Sequence, residues 1–449
     1  MADSILTIPR PQYLRAFRQL LPPRLLRRAV AARGRATRDR KLPRPVLLGM
    51  LLTWFFQPQA GLPAFLRWLA GPGQPALSEA AVYAARGRLG WGPLRWLARR
   101  VPRPLADPRR EPDAFYAGMR VLALDGTTLS VADTPANDRT FGRPRNQHRA
   151  GGYPLARVVA LCEVGTHALL AWVARGYGRS EVGLARRLLA RVPAGALLLA
   201  DRNFHSFAWW EQARAGGYES LLRVQKGPRL PVHTPLPDGS YLTAVYPRRG
   251  RGKPGRAIPV RVIRYQWAGA AGAPHQARLV TSLLDAAAHP AAAVVGLYHR
   301  RWEHELVFKE VKGHLAGRPM HVRAKDPVRV CQEVDALLLG HYLVRWVMWQ
   351  AARRAGVAAP GLSFTGSLRV LAVRLARVPA RRAGPPGGWS GWWAELLREV
   401  GRHRLRPRSG RRCPRARKVT RSHWPVKNGQ KEGTIPRLEI VPATVAASP

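Results

Sequence analysis

Apolar residues recur at helical spacing from Tyr13 to about Arg103, in the stretches LRAFRQLLPPRLLRRAV, PVLLGMLLTWFF and PLRWLARRV, punctuated by Pro and Gly. Within this region LSEAAVYAARGRLG offers Ser78 as an N-cap, an apolar face, and a stop at Gly90. After Pro112 the period shortens to two. RVLALDGTTLSVAD, ARVVALCEV and HALLAWVARG alternate and are rich in Val, Leu and Thr, which predicts three successive strands. EVGLARRLLARV then reads as an amphipathic helix and ALLLADRNF as a buried strand. The resulting order, β-β-β-α-β, is that of an α/β domain.

From roughly Glu219 to Ser282, SLLRVQ, YLTAVYP, AIPVRVIRYQW and ARLVTSLL alternate with Pro and Gly turns, which predicts an inserted β region. Beyond it lie helical patterns: YHRRWEHELVFKEVKGHL, then VDALLLGHYLVRWVMWQAARRAG and GSLRVLAVRLARV. The tail from about Gly401 is packed with Arg, Pro and Ser, too polar to build a core, and reads as disordered without a partner. The domain boundaries expected from these shifts are 1–112, a helical domain; 113–217 and 286–400, the two parts of a core; 218–285, the insertion; and 401–449, the basic tail.

Charge changes the picture. The 449 residues hold 75 Lys and Arg against 26 Asp and Glu, a formal charge of +49. Such a surplus needs polyanions, and the phosphate backbone of DNA is the default partner. A membrane surface is the alternative, but the most apolar run, ALLLGHYLV, is too short to span and is bracketed by Asp335 and Arg345. MADSILTIPRPQYLRAF has no continuous apolar core after a basic start, so the expected compartment is the cytoplasm, with the protein on the nucleoid. Cys162, Cys331 and Cys413 have neither disulfide nor zinc spacing.

In so basic a chain the placement of the few acids matters. On one continuous helix Tyr298, Arg301, Glu305 and Lys312 would fall within an arc of roughly 60°. Ordinary pairs one turn apart would account for Arg301, Glu305 and Lys309. They leave Lys312 out, because it lies roughly 10 Å along the axis from Glu305 and calls for another anion, such as a phosphate. Asp125 ends the apolar run VLALD, and Asp201 ends ALLLAD. Taken singly, each is equally a turn residue or a helix cap. Taken with Glu305, they form a set of oxygen donors suited to hard divalent ions. Two such ions can activate an attacking oxygen and neutralise a leaving one. A phosphatase with a nucleophilic Asp would need a second Asp two residues after the first, and Gly126 and Thr127 follow Asp125 instead.

The spacing Tyr298-x2-Arg301-x3-Glu305-x6-Lys312 resembles the signature of DDE transposases in the insertion sequence four family. DGTTL at Asp125 and ADRNF at Asp201 are similar to that family's blocks around its first two acids, as are VADTPANDRTFGRP, ALSEAAVYAARGRLG and RCPRARKVTRSHWPVK to further family text. The resemblance implies a ribonuclease H-like core, a mixed sheet flanked by helices. It also implies that Asp125, Asp201 and Glu305 hold two Mg²⁺ ions, with Mn²⁺ able to substitute, while Tyr298, Arg301 and Lys312 grip double-stranded DNA. The implied protein acts as a homodimer on the ends of its own element. Arg86 and Arg88 are candidates for phosphate contact if the Ser78 helix lies in a groove, although a bundle helix explains the same pattern. Trp267 is a candidate to stack a displaced base, against the alternative of a tryptophan in the β region's own core. The non-enzymatic alternative is a silent or domesticated DNA-binding protein derived from a transposase.

Overall fold

The computed structural model describes residues 11–33, 42–56, 61–70, 77–144, 152–225, 227–247, 257–268, 274–316, 322–378, 385, 387–405, 416–417, 426–427 and 438–441. Six helices come first: α1 (Pro11–Phe17), α2 (Pro23–Arg33), α3 (Arg44–Trp54), α4 (Leu62–Ala70), α5 (Glu79–Leu89) and α6 (Gly92–Arg100). There follow β1 (Phe115–Tyr116), β2 (Met119–Ser130), α7 (Pro135–Phe141), β3 (Leu155–Glu163), β4 (Ala168–Gly176), α8 (Glu181–Leu189) and β5 (Ala196–Ala200). Next are α9 (Phe207–Gly216), β6 (Glu219–Val224), β7 (Thr234–Pro235), β8 (Tyr241–Val245), β9 (Ile258–Ala268), β10 (Pro274–Thr281) and α10 (Ala291–His299). The chain continues through α11 (Trp302–Lys309), a π-helical segment (Glu310–Ala316), α12 (Pro327–Ala355), α13 (Phe364–Ala376) and α14 (Gly388–Arg402), with short strands β11 (Ala416–Arg417), β12 (Val426–Lys427) and β13 (Leu438–Ile440).

Two compact units divide the chain: residues 1–198 with 301–404, and residues 199–300 with 405–449. In the first, the strand order is β4-β3-β2-β5, and β2, β3 and β4 pair antiparallel. Three consecutive antiparallel strands followed by a helix and a fourth strand beside the first is the ribonuclease H-like arrangement. In β2 residues 121–124 are buried on both faces, as a central strand requires, and from Asp125 to Thr128 the strand opens to partial exposure.

Helix α12 is the spine of this unit. Nearly every position from Val330 to Ala352 is buried, because α3, α5 and α6, strand β4, and α13 and α14 all pack on it. The run ALLLGHYLV lies in its middle and is a buried core segment. Among the described residues no helix is long and apolar enough to cross a membrane.

The second unit is built on an antiparallel sheet in the order β6-β10-β9-β8-β7. One expectation fails here. The composition of the tail predicts no structure, yet Leu438–Ile440 pairs antiparallel with Tyr265–Trp267 of β9. Beyond its pairing with β8, β9 presents unmet backbone donors and acceptors, and a short LEI segment meets them despite its basic surroundings. Residues 416–417 and 426–427 also pair with each other. The rest of the tail beyond 405 lies outside the described residues, apart from Val441.

Candidate active site

The site begins where β2 leaves the core. Asp125 sits opposite Ala160 of β3, with its side chain 20% exposed. Its Oδ1 accepts a hydrogen bond of 2.8 Å from the backbone N–H of Gly126. Its Oδ2 lies 3.4 Å from a guanidinium nitrogen of Arg301, a residue only 8% exposed. A buried cation beside a carboxylate offsets the cost of taking either from water, so each helps to hold the other. The apolar run VLALD stops at Asp125 but the strand does not: β2 continues to Ser130, still paired with β3, so Asp125 is a mid-strand residue. Arg301 immediately precedes α11, and α11 packs against β2. The backbone that carries Glu305 is thereby set against the strand that carries Asp125. The side chains of residues 302–305 lie outside the described set.

The single-helix expectation for Tyr298 to Lys312 does not hold. Helix α10 ends at His299 with a tightened last turn, the N–H of Arg300 reaching the carbonyl of Leu297. Residues 300 and 301 form a turn before α11 starts, and a π-helical segment begins at Glu310. No Pro or Gly marks the break. The turn instead delivers Arg301 to Asp125, a tertiary contact overriding local propensity. Neither segment keeps the 100° register on which the shared arc rested, and π-helical turns of this kind concentrate at functional sites.

Lys312 lies in the π-helical segment, half-buried, and burial pulls its ammonium pKa below the usual lysine value. Tyr298 is buried at the end of α10. Asp201 follows β5 in the second unit, half-exposed in extended backbone ahead of a short turn of 3₁₀ helix over Arg202–Phe204, where its side chain makes no capping hydrogen bond.

Arg86 must be reassigned. It is 3% exposed on α5, pairs with Glu333 at 3.0 Å and bonds the Gln332 side chain at 3.0 Å, both on α12. Its guanidinium is consumed in docking α5 onto α12 and is not available to a phosphate. Tyr83 on the same helix donates its hydroxyl to Asp326 and lies under the guanidinium of Arg329, 3.4 Å from its ring centre. Arg88 is half-exposed. Trp267 is half-buried on β9, stacked on Tyr265 at 5.5 Å with the Arg223 guanidinium 5.9 Å from its ring.

Two acids near these residues do not stand out in the sequence. Glu181 is the first residue of α8, set by Ser180, whose hydroxyl caps the helix on the N–H of Gly183. Its carboxylate presses on Gly126 so closely that a Cβ there would stand 1.9 Å from Oε1, and Arg157 of β3 lies 3.7 Å from Oε2. The one signal for it is a glycine inside a strand pattern, which marks a close approach. Glu310 starts the π-helical segment and is buried against Arg345 and His341 of α12. Nothing in its spacing sets it apart from a solvated glutamate.

The donor set fits a hard divalent cation in kind, since carboxylate oxygens are what Mg²⁺ and Mn²⁺ take. Among the described residues no three His, Cys, Asp or Glu side chains are grouped to hold one.

The chain's similarities point one way. A model of the transposase DDE domain matches residues 116–330. The transposase InsG for insertion sequence element IS4 of Escherichia coli is 28% identical over 361 residues, 77% of this chain and 79% of its own length. The putative transposase InsZ of Escherichia coli is 29% identical over 203 residues, 44% of this chain and 66% of its own length. Among solved structures, the piggyBac transposase synaptic complex with hairpin DNA has a TM-score of 0.43 at 10% identity, covering 89% of this chain and 87% of that one, a likeness too distant to bear on the chemistry.

Proposed function

Because this chain belongs to the DDE transposases of the insertion sequence four family, we propose that it binds the terminal inverted repeats of its own element and catalyses metal-dependent cleavage and strand transfer of DNA. The observation that carries the reading is the Asp125–Arg301 pair, which joins the first acidic block to the Tyr-Arg-Glu-Lys signature where β2 emerges from the core. Asp125, Asp201 and Glu305 would hold two Mg²⁺ ions, for which Mn²⁺ can substitute. When bound, such ions activate an attacking oxygen and neutralise a leaving one.

In the reaction, water attacks the phosphorus at the element boundary, the bond from phosphorus to the 3′ oxygen breaks, and that oxygen leaves as a 3′ hydroxyl. The hydroxyl then attacks a second phosphodiester and displaces another 3′ oxygen, so no covalent protein intermediate is needed. Arg301 keeps the Asp125 carboxylate aimed from the partly exposed stretch of β2. Lys312 and Tyr298 serve contact with the DNA backbone, where cations add affinity through phosphate. A homodimer would pair the two element ends.

The test uses duplex DNA carrying the element's terminal repeat. Asp125→Asn and Asp201→Asn should each abolish Mg²⁺-dependent strand cleavage while leaving binding in a mobility-shift assay close to wild type. Cleavage at the wild-type rate by either variant would refute the assignment, and loss of binding with folding intact would favour a purely DNA-binding role for these acids' surroundings.

A further inference from the structure

An arginine-lined groove lies along β4, two strands away from β2 in the sheet of the first unit. One cavity, of 210 Å³, opens between α6, β4 and α8 and is lined by Arg95, Arg99, Arg175, Arg187 and Arg191. A second, of 610 Å³, lies on the other side of Arg175, against α7, and adds Arg139 and Arg179. Among the described residues, no Asp or Glu lines either one.

What holds these side chains matters more than their number. Arg95 gives both terminal nitrogens to the carbonyl of Trp172 at 3.2 Å, and Asp335, 3.5 Å away, is its carboxylate neighbour. That acid is itself buried and bonded by the indoles of Trp91 and Trp172. Arg175 bonds the carbonyl of Ala174, and Arg191 that of Arg99. A carbonyl satisfies a guanidinium N–H but cancels none of its charge. Arg99, Arg187 and Arg191 are exposed. Burial lowers the pKa of Arg95, and Arg99 and Arg175 add to that effect by like-charge repulsion. The groove is therefore a set of mutually repelling cations, three of them held by backbone carbonyls, with one buried acid behind it, and an anion is what would relieve it.

We infer that this groove binds the sugar-phosphate backbone of duplex DNA, at a site separate from the catalytic acids. The inference rests on the reading of the protein as a DNA-binding transposase. Arg95 and Arg99 stand four residues apart on α6, about 6 Å along its axis, on one side of the groove, and Arg187 of α8 and Arg191 just past that helix's end line the other. Cations on both walls, continued beyond Arg175 into the second cavity, match an extended polyanion better than a single phosphate.

The experiment measures affinity for a fluorescent 40-mer duplex of arbitrary sequence across a salt series, with inorganic phosphate as competitor in a second arm. Arg99 and Arg187 are exposed and suit substitution. Each lost phosphate contact lowers the slope of log K against log salt by about 0.9. R99A/R187A should therefore flatten the slope by about 1.8, and R99K/R187K should restore it. R369A/R377A, which removes equal charge from exposed positions on α13 and at its C-terminal end, should leave the slope unchanged. The inference fails if the groove and control variants behave alike, or if inorganic phosphate at the same phosphate concentration displaces the duplex from wild type but not from R99A/R187A. A wild-type protein with no salt-dependent binding would instead overturn the underlying reading of function.

Discussion

Replacing Glu310 by Gln removes one negative charge from a sealed environment and leaves the shape nearly unchanged. Glu310 is 9% exposed and Arg345 2%. One carboxylate oxygen accepts from Arg345 Nε at 3.1 Å and lies 2.9 Å from His341 Nε2, while the other meets an Arg345 terminal nitrogen. That same nitrogen is 2.9 Å from His167 Nδ1, so His167 accepts there and is neutral at that atom. Burial lowers the pKa of His341 as well, so Glu310 is the neutralising group for Arg345. Burial by itself would raise the carboxyl pKa, but Arg345, and then His341, outweigh it and hold it down at about 2. The neutral amide of E310Q could still bond but would leave a guanidinium buried without a counter-charge, a change that typically costs about 3 to 5 kcal/mol. In a unit of about 300 residues, with an unfolding entropy of about 2.1 cal/mol/K per residue, that corresponds to a fall of roughly 5 to 8 °C in melting midpoint. The sign with pH follows from the depressed pKa: the stabilisation is complete above about pH 5 and drains away as pH falls toward 2. Thermal melts of wild type and E310Q should thus differ most at pH 7 and converge in acid. E310L/R345M should recover part of the loss, because a packed apolar pair needs no counter-charge although it removes the bonds to His341 and His167. A difference below about 1 kcal/mol at pH 7 would show that Glu310 does not carry the balance of charge described.

Three further outcomes follow. Arg86→Met should lower stability by a similar amount, about 3 to 5 kcal/mol, by leaving Glu333 buried without its cation, while DNA affinity at fixed salt stays within about twofold of wild type; a large loss of affinity with unchanged stability would return Arg86 to the DNA surface. Lys312→Ala should slow strand cleavage at least tenfold with little effect on overall binding, since dozens of other cations remain, and an unchanged rate in a single-turnover assay would leave that residue with no part in the reaction. The wild-type affinity for duplex DNA should fall steeply with rising salt, as counterion release requires; a flat response in the same titration would contradict broad phosphate contact.

Periodicity made the central strands legible. VLALD, ARVVALCEV and ALLLAD carry their own length and burial, and the shift in period near Pro112 coincides with the start of the sheet. The buried middle of α12 was legible as too short and too flanked by charge to be a membrane span. What could not be read was anything decided by partners distant in sequence. Arg86 has the spacing of a surface arginine and becomes a core residue only because Glu333 and Gln332 arrive from almost 250 positions away. The break at Arg300 has no local cause, and neither does the pairing of Leu438–Ile440 with β9, which needs only a short apolar segment and an available edge. Asp125 and Asp201 draw notice for the opposite reason: a charge ending an apolar run is anomalous where it stands, and the anomaly shows without knowledge of the fold.

The same contrast separates the protein's two uses of carboxylates. Glu163, Glu310, Glu333 and Asp335 lie between 0 and 9% exposed, each tied to an arginine, and Glu163 also accepts the backbone N–H groups of Leu105 and Ala106. Glu310 and Glu333 join helical segments to one another, Asp335 ties α12 to α6 and β4, and Glu163 ties β3 to β2 and to the chain at Leu105 and Ala106. Every such pair removes one cation and one anion together, so the surplus of 49 positive charges survives intact and must be displayed outside the core. Exterior cations in that number repel one another and destabilise the compact state unless a polyanion screens them. Asp125 stands apart from these buried pairs, partly exposed in the middle of β2 where that strand emerges from the core, its single described ion pair being with an arginine from the Tyr-Arg-Glu-Lys signature. On the proposed function the basic exterior and the partly exposed acid are two parts of one arrangement: the first would gather phosphates from solution, and the second would stand where one of them is cut.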